Sequence, residues 1–255
     1  MQGIVDIHCH LIPDVDDGVQ TFEECRKLLE MEYAQGVRKI IATPHFRRAM
    51  FECPLDKIQK QYEEVVTIAK EIGTKDDGIE VILGCEYYAD SEMIDELNNK
   101  TRSTIGNTKF VLVEFAENEV FSYMRERIYQ LVCNGYEPII AHAERYITLL
   151  KKKEYIDELV HLGARIQLNA RSIIGLNGWR VKAFCKKIMK ADYLYAVGSD
   201  AHDTNRRPPH MECCAVYLKK KMGYAYAHKV MVENPQRLLR KIKKENWRNG
   251  RKKNK

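Results

Sequence analysis

Short apolar, β-branched runs alternate with helical patterns along almost the whole chain, and this alternation limits the fold more than any other feature. The runs IIAT, VILG, FVLV and IIAH are apolar on both faces, which is typical of parallel strands buried on both sides. Thr21 and Glu24 have the spacing of a helix capping box, Gly36 is placed to end that helix, and Pro54 to begin the next one. The pattern predicts strands over residues 4–8, 38–43, 80–84, 110–114, 138–141, 164–169 and 193–198.

Seven strand-then-helix units predict an α/β fold, a TIM-like barrel of seven strands or of eight with one unit hidden. The alternative is an open, doubly wound sheet. Its nucleotide-binding form is disfavoured because HCHLIPDVDDG, and not a GxGxxG loop, follows the first strand. With 255 residues, 45% of them hydrophobic, and no linker or repeat, the chain is expected to form a single domain over residues 1–240, followed by a basic tail over 241–255.

The composition limits which cellular compartment and which binding partners are expected. Eight scattered cysteines without a CxxC pair favour reduced thiols over a disulfide framework or a cysteine zinc site. A cytoplasmic protein is expected, because the chain has no long apolar run and no signal-peptide pattern at its start. Residues 241–255 carry eight Lys/Arg and one Glu, so this tail contributes +7 to the total of +6 and the body is close to neutral. That distribution argues against a nucleic-acid groove on the body. The tail is interpreted either as a solvated helix end or as a segment attracted to anionic membrane.

Histidines and carboxylates stand at the C-terminal ends of the predicted strands. In a β/α barrel these ends open onto one face, which is where active sites lie. A single residue of this kind is as often structural as functional, but five of the eight histidines share this placement, and an HxH pair in a strand points both imidazoles to one side. The predicted metal ligands are His8, His10, Asp17, His45, Glu86, Glu114, His142, Asp200 and His202.

Imidazoles and carboxylates without thiolates suit Mn²⁺, Fe²⁺, Zn²⁺ or Mg²⁺. Nine donors are too many for one ion and suit two or three ions with bridging carboxylates. Such a cluster generates hydroxide and clamps a phosphoryl oxygen, so phosphoester hydrolysis is the predicted reaction. Arg145 and Arg207 are predicted to bind the phosphate, since a guanidinium binds it through two parallel hydrogen bonds. Of the adjacent pair Arg206 and Arg207, only one is expected to point inward.

The motifs DIHCH, DVDDG, ATPH, GCEYY, LVEF, AHAERY, GSDAH and RRPP together resemble the polymerase-and-histidinol-phosphatase (PHP) superfamily. Within it they are most similar to the manganese-dependent protein-tyrosine phosphatases of bacterial capsule and exopolysaccharide loci. The resemblance implies a distorted barrel of seven β/α units, a cluster of three Mn²⁺ ions, and substrate-phosphate binding by Arg145 and Arg207. It also implies three ligand sets: His8, His10, Glu86 and Asp200; Glu86, Glu114 and His142; and Asp17, His45 and His202, with Glu114 or another bridging ligand shared.

The implied activity is hydrolysis of phosphotyrosine on a membrane-associated tyrosine kinase that regulates polysaccharide chain length and export. The expected mechanism is in-line attack by a metal-bridging hydroxide. A cysteine nucleophile is not expected, because no cysteine has an arginine six residues later. The alternatives are a small-molecule phosphatase such as histidinol-phosphate phosphatase, an amidohydrolase, which would not need two inward arginines, and a non-catalytic binding module, against which the complete ligand set argues.

Overall fold

The structure, a computed structural model, describes residues 1–239, so the predictions about the tail over 241–255 concern residues outside the described range. The strands are β1 (Ile4–Cys9), β2 (Val37–Ala42), β3 (His45–Phe46), β4 (Glu80–Leu83), β5 (Glu86–Tyr88), β6 (Phe110–Glu114), β7 (Glu137–Ile140), β8 (Arg165–Asn169) and β9 (Leu194–Gly198). The α-helices are α1 (Phe22–Ala34), α2 (Leu55–Lys70), α3 (Met93–Asn99), α4 (Phe121–Cys133), α5 (Ile147–Lys151), α6 (Lys153–His161), α7 (Ala170–Ile174), α8 (Trp179–Lys190), α9 (Met211–Met222) and α10 (Tyr224–His228).

All seven predicted strands are confirmed, each to within one residue at either end. Two of them continue past a break. Strand β2 continues through Pro44 into β3, and β4 continues through Gly84 into β5. Hydrogen bonds from Gly84 N to Ala42 O (2.7 Å) and from Glu86 N to Pro44 O (3.1 Å) keep the two interrupted strands paired at these breaks. Proline has no N–H to donate, which explains why the regular ladder is interrupted there.

The strands form a closed, all-parallel barrel. One sheet has the order β1-β2-β4 and the other β3-β5-β6-β7-β8-β9, and the two are continuous through the interrupted strands. The ring closes between β9 and β1, where Asp200 N donates to His8 O (2.8 Å) and His10 N donates to Ala201 O (2.9 Å). Because β1 has a neighbour on both sides, the open-sheet alternative is wrong, and the described residues form seven β/α units without a hidden eighth.

The helix signals are also confirmed. Thr21 caps α1 with a complete capping box to Glu24, Gly36 follows its end with φ 87°, and Pro54 precedes the first residue of α2. One apolar layer fills the space between the barrel and its helices, and a second fills the barrel interior. Within residues 1–239, no helix is long and apolar enough to cross a membrane.

Candidate metal centre

The mouth of the barrel at the C-terminal strand ends brings all nine predicted ligands together. Their donor atoms form overlapping groups, in each of which the atoms lie within 4.8 Å of one another. The groups are His8, His10 and Asp200; His8, Glu86 and His142; His45, Glu86 and Glu114; and His10, Asp17, His45 and His202. His8, His10, His45 and Glu86 each belong to two groups, whereas the implied sets gave each histidine to one ion. Such overlap is what a cluster of closely spaced ions with shared ligands requires.

Glu86 lies at the centre of this cluster. One carboxylate oxygen is 3.1 Å from His8 Nε2 and 3.1 Å from His45 Nδ1, and the other is 2.8 Å from His142 Nε2. Burial would raise the pKa of Glu86, but the surrounding His8 and His45 hold it well below its ordinary value. The carboxylate is therefore fully buried and ionised, a combination that requires cations around it.

Several imidazoles offer a free lone pair to this space. His202 Nδ1 lies 3.0 Å from the carbonyl oxygen of Asp200 and so carries the proton, while its buried Nε2 has no hydrogen-bond partner. Burial lowers the pKa of His45 to about 4, despite the nearby Glu86, so this ring is neutral at pH 7. A neutral imidazole whose other nitrogen is tied to the backbone is the usual form of a histidine metal ligand, and the donor set fits the predicted ions.

Glu114 is a second carboxyl group of the cluster whose ionised form a bound cation would stabilise. Burial raises its pKa to about 8, and the negative charge of Glu86 adds to the rise. Three carboxylates, those of Glu86, Glu114 and Asp200, thus share one buried space with five histidines. A divalent cation bound among them would remove the repulsion that now favours protonation of Glu114.

Two glycines are required where the backbone packs against the ligands. A Cβ at Gly18, in the DVDDG motif, would lie 2.2 Å from His10 O, and one at Gly198 would lie 2.6 Å from His8 Cβ. His142 and Asp200 themselves have positive φ angles of 31° and 54°. Strain of this kind at residues other than glycine is concentrated at functional sites.

The two predicted phosphate arginines lie beside the cluster and approach the same carboxylate. Arg207 Nη2 donates to Asp200 Oδ1 (3.0 Å), and Arg145 Nη1 lies 3.6 Å from Asp200 Oδ2. Both guanidinium groups line a cavity of about 520 Å³ that opens next to Asp200, as does Arg206. Arg207 is the member of its pair that points at the ligands, as expected, while Arg206 is exposed.

Residues other than the nine predicted ligands hold those ligands in orientation. Asp16 Oδ2 holds His10 Nδ1 (2.8 Å), and Tyr146 OH lies 3.4 Å from His142 Nδ1. Gln167 Oε1 accepts the His142 N–H (2.7 Å) and lies 3.3 Å from His8 Nδ1. Asn169 Nδ2 donates to Asp200 Oδ2 (2.9 Å). The two amides of strand β8, Gln167 and Asn169, were the available signal, because a buried amide in a strand needs partners.

The family is decided by a sequence profile described as "Capsular polysaccharide synthesis, CpsB/CapC", which matches residues 4–240. The chain belongs to the CpsB/CapC family. The tyrosine-protein phosphatase CpsB of Streptococcus pneumoniae is 31% identical over 241 residues, which are 92% of this chain and 98% of that protein. The tyrosine-protein phosphatase YwqE of Bacillus subtilis strain 168 is 29% identical, over 93% of this chain and 92% of YwqE.

A solved structure agrees with this assignment to the CpsB/CapC family. It is described as YwqE from Bacillus subtilis and CpsB from Streptococcus pneumoniae, "unique metal-dependent tyrosine phosphatases". It superposes on this chain with a TM-score of 0.85 at 28% identity, and the match covers 93% of this chain and 95% of the chain in that structure. A histidinol phosphate phosphatase from Lactococcus lactis, at a TM-score of 0.59 and 15% identity over 91% of this chain and 96% of its own, shares the fold. The PHP-type resemblance and the barrel fold that it implied are thereby confirmed.

The CpsB/CapC barrel carries a second buried acidic group, on the side of β1 that faces α1. Carboxylate oxygens of Asp6 and Glu32 and the thiol of Cys9 lie within 4.8 Å of one another. Asp6 accepts hydrogen bonds from Ser199 Oγ (2.5 Å), Ser199 N (2.8 Å) and His8 N (3.2 Å). Burial raises the pKa of Glu32 well above its ordinary value, and the negative charge of Asp6 adds to the rise. Glu32 is therefore held in its neutral form.

Proposed function

We propose that this CpsB/CapC chain is a metal-dependent protein-tyrosine phosphatase. The observation that carries the proposal is the position of Arg145 and Arg207, which flank a buried cluster of histidines and carboxylates and line the open cavity beside it. Arginines bind phosphoryl oxygens, and the cluster supplies donors for the ions that activate water. The curated relatives, named tyrosine-protein phosphatases, have the same family and nearly the same length.

The proposed ions are Mn²⁺, three to a chain, with Fe²⁺, Zn²⁺ and Mg²⁺ as alternatives that accept the same donors. Their proposed ligands are His8, His10, Asp17, His45, Glu86, Glu114, His142, Asp200 and His202. When bound, the ions make hydroxide available near neutral pH and stabilise charge on the phosphoryl group. Arg145 and Arg207 would bind the phosphoryl oxygens, while Asp16 and Gln167 keep His10, His8 and His142 in their ligand orientations.

The cysteines take no part in this chemistry. All eight lie within the described residues as free thiols, and Cys9 is the one that lies between two proposed ligands. Burial raises the pKa of Cys9 well above its ordinary value, so the thiol stays protonated, and its Sγ lies 3.7 Å from the carbonyl oxygen of Ala201. A protonated thiol is a poor nucleophile. Cys9→Ser should therefore retain turnover to within about tenfold, since serine keeps the small polar side chain.

The proposed substrate is a phosphotyrosine-containing protein of capsular or exopolysaccharide synthesis. The family's description names capsular polysaccharide synthesis, and the sequence resemblance implies a membrane-associated tyrosine kinase as the phosphoprotein. A small-molecule substrate such as histidinol phosphate is the less favoured alternative, because that phosphatase shares only the fold at 15% identity.

The basic residues 241–255 lead to a separate proposal about location. Their charge of +7 would attract the chain weakly to an anionic membrane surface, at roughly 1 kcal/mol for each basic residue before screening. Sedimentation with anionic vesicles compares the full chain with a chain that ends at Arg240. Equal binding by the two chains, or no binding by either at low salt, would exclude the tail as a tether.

The activity itself is tested with phosphotyrosyl peptides and histidinol phosphate after exhaustive chelation and dialysis. Turnover of the peptides should disappear with the metal and return with added Mn²⁺, and the peptides should be preferred over histidinol phosphate. Full activity in excess chelator would refute metal dependence, and a preference for histidinol phosphate would refute the proposed substrate class.

A further inference from the structure

The cavity beside Asp200 is larger than a phosphoryl group requires. Its volume is about 520 Å³, which falls in the range of about 300–1,000 Å³ typical of sites that enclose a whole small ligand. Besides Arg145 and Arg207, two further arginines line it. Arg171 comes from the first turn of α7, directly after β8, and Arg206 from the loop that precedes α9.

Arg171 is fixed in place by neutral partners. Its Nε donates to Asn177 Oδ1 (3.1 Å), and its Nη1 donates to the carbonyl oxygen of Arg206 (3.1 Å). These two hydrogen bonds orient the guanidinium, and they leave its positive charge without a counter-charge. Among residues 1–239, neither Arg171 nor Arg206 lies within 4.0 Å of a carboxylate oxygen.

The other arginines around the mouth differ in this respect. Arg145 contacts Glu117 and Asp200, and Arg207 contacts Asp17 and Asp200. Arg48, on the opposite rim, is surrounded by Asp90, Glu92 and Glu96. The cavity is also lined by the carboxyl groups of Glu117, Glu144 and Asp200. Glu117 and Asp200 already pair with Arg145. Arg171 and Arg206 are the cavity arginines that lack such a pair among the described residues, so their guanidinium groups are the ones available to an incoming anion.

We propose that Arg171 and Arg206 bind a second anionic side chain of the substrate, next to the phosphotyrosine that reacts at the metal centre. The proposal rests on the proposed phosphatase function and narrows its substrate class to phosphotyrosine segments with a neighbouring negative charge. That charge is a carboxylate or the phosphate of another residue, since an arginine pairs with both through the same hydrogen-bonding geometry. The contact does not involve the reacting atoms, so it lowers KM more than it raises kcat.

The test uses three phosphotyrosyl peptides of equal length, whose flanking positions carry glutamine, glutamate or a second phosphotyrosine. Their kcat/KM values are compared in the metal-loaded full chain at low salt. The glutamate and doubly phosphorylated peptides should exceed the glutamine peptide by about tenfold, mainly through KM, and the difference should shrink as salt screens the charges. The two charged peptides separate a carboxylate preference from a phosphate preference.

Arg171→Ala and Arg206→Ala should each reduce this preference ratio, and the double variant should bring it close to one. Because Arg206 is exposed, its replacement tests the proposal even if loss of Arg171 disturbs α7. Arg180→Ala is the matched control, because Arg180 is an exposed arginine of α8 that stacks on Trp179 and does not line the cavity. The control should keep the wild-type ratio.

The two possible failures are distinguishable. Equal kcat/KM for all three peptides in the wild-type chain, or a preference that survives in the double variant, would overturn the second-anion site and leave the phosphatase function intact. Absence of turnover with every phosphotyrosyl peptide would overturn the proposed function, and this inference with it.

Discussion

Two buried acidic clusters lie on either side of strand β1, and they hold their protons differently. In the mouth of the barrel, His8 and His45 keep the pKa of Glu86 well below its ordinary value, although burial opposes this. On the side facing α1, burial and the charge of Asp6 raise the pKa of Glu32 well above its ordinary value. Both carboxyl groups are fully buried. The difference therefore comes from their neighbours and not from their depth.

This contrast explains why only one cluster is suited to metal ions. The mouth combines carboxylates with five histidines, and each histidine donates a lone pair once it is neutral. The α1 side combines Asp6 and Glu32 with a protonated thiol, a serine hydroxyl and backbone amides. None of these groups is positively charged, so Glu32 stays neutral by retaining its proton. Asp6 thereby fixes Ser199, which precedes the proposed ligand Asp200, and acts as a structural support.

The largest effect is expected from Glu86→Gln. The amide keeps the size of the side chain and removes the charge that His8, His45 and His142 surround. Turnover should fall at least about a thousandfold, because a shared ligand supports more than one ion. Elemental analysis should show loss of metal in parallel. A variant that keeps both metal and turnover would show that Glu86 is not a ligand.

A smaller effect is expected from removing the phosphate arginines. Arg145→Ala and Arg207→Ala should each lower turnover of a phosphotyrosyl peptide by about a hundredfold, since each removes a preorganised donor. Arg→Lys should also be impaired, because an ammonium lacks the guanidinium fork. Metal content should stay at the wild-type value, as in the Arg180→Ala control. Normal kinetics in both alanine variants would reduce these arginines to surface charges.

An intermediate effect on metal binding is expected from Gln167→Leu. The leucine has similar volume and removes the amide that holds the His142 backbone and faces His8 Nδ1. Loss of such an orienting partner typically weakens metal affinity by about 10–100-fold. Competition with a fluorescent chelator measures the affinity directly, and an unchanged value would assign Gln167 to packing alone.

The smallest effect is expected from Glu32→Gln, the counterpart of the Glu86 replacement in the other cluster. A glutamine is uncharged beside Asp6, as a protonated Glu32 is, and has nearly the same size, so the cost near pH 5 should be under about 1 kcal/mol and metal content should not change. Loss of metal in this variant would mean that the α1-side cluster also binds an ion, and the comparison would fail.

The same pair also predicts a pH dependence. Because the pKa of Glu32 is raised above its ordinary 4.5, the folded chain keeps a proton that the unfolded chain has released, and the stability from this group falls as pH rises above that value. Glu32→Gln removes the penalty. Its Tm relative to wild type should therefore increase between about pH 5 and pH 8. A difference in Tm that is constant with pH would contradict the raised pKa.

The sequence predicted the barrel well because parallel strands buried on both faces leave continuous apolar runs, as in FVLV at β6. It also brought the predicted ligands to one place, because a barrel brings distant strand ends together whatever the details of packing. The orienting residue Gln167 was missed, since its partner His142 lies 25 residues away along the chain. The sequence did not single out Glu32, because only the packing of α1 against the barrel reveals that it is buried.

The most direct test of the account is anomalous diffraction from crystals of the chain grown with Mn²⁺, recorded on both sides of the manganese absorption edge. We expect anomalous peaks among His8, His10, His45, Glu86 and Asp200, within ligand distance of their side-chain donors, and none between Asp6 and Glu32. Two results would contradict the central claim that the neighbours of each buried carboxylate decide where the metal binds. One is a manganese peak confined to the Asp6–Glu32 side. The other is a crystal shown by elemental analysis to contain manganese but without an anomalous peak at the histidines.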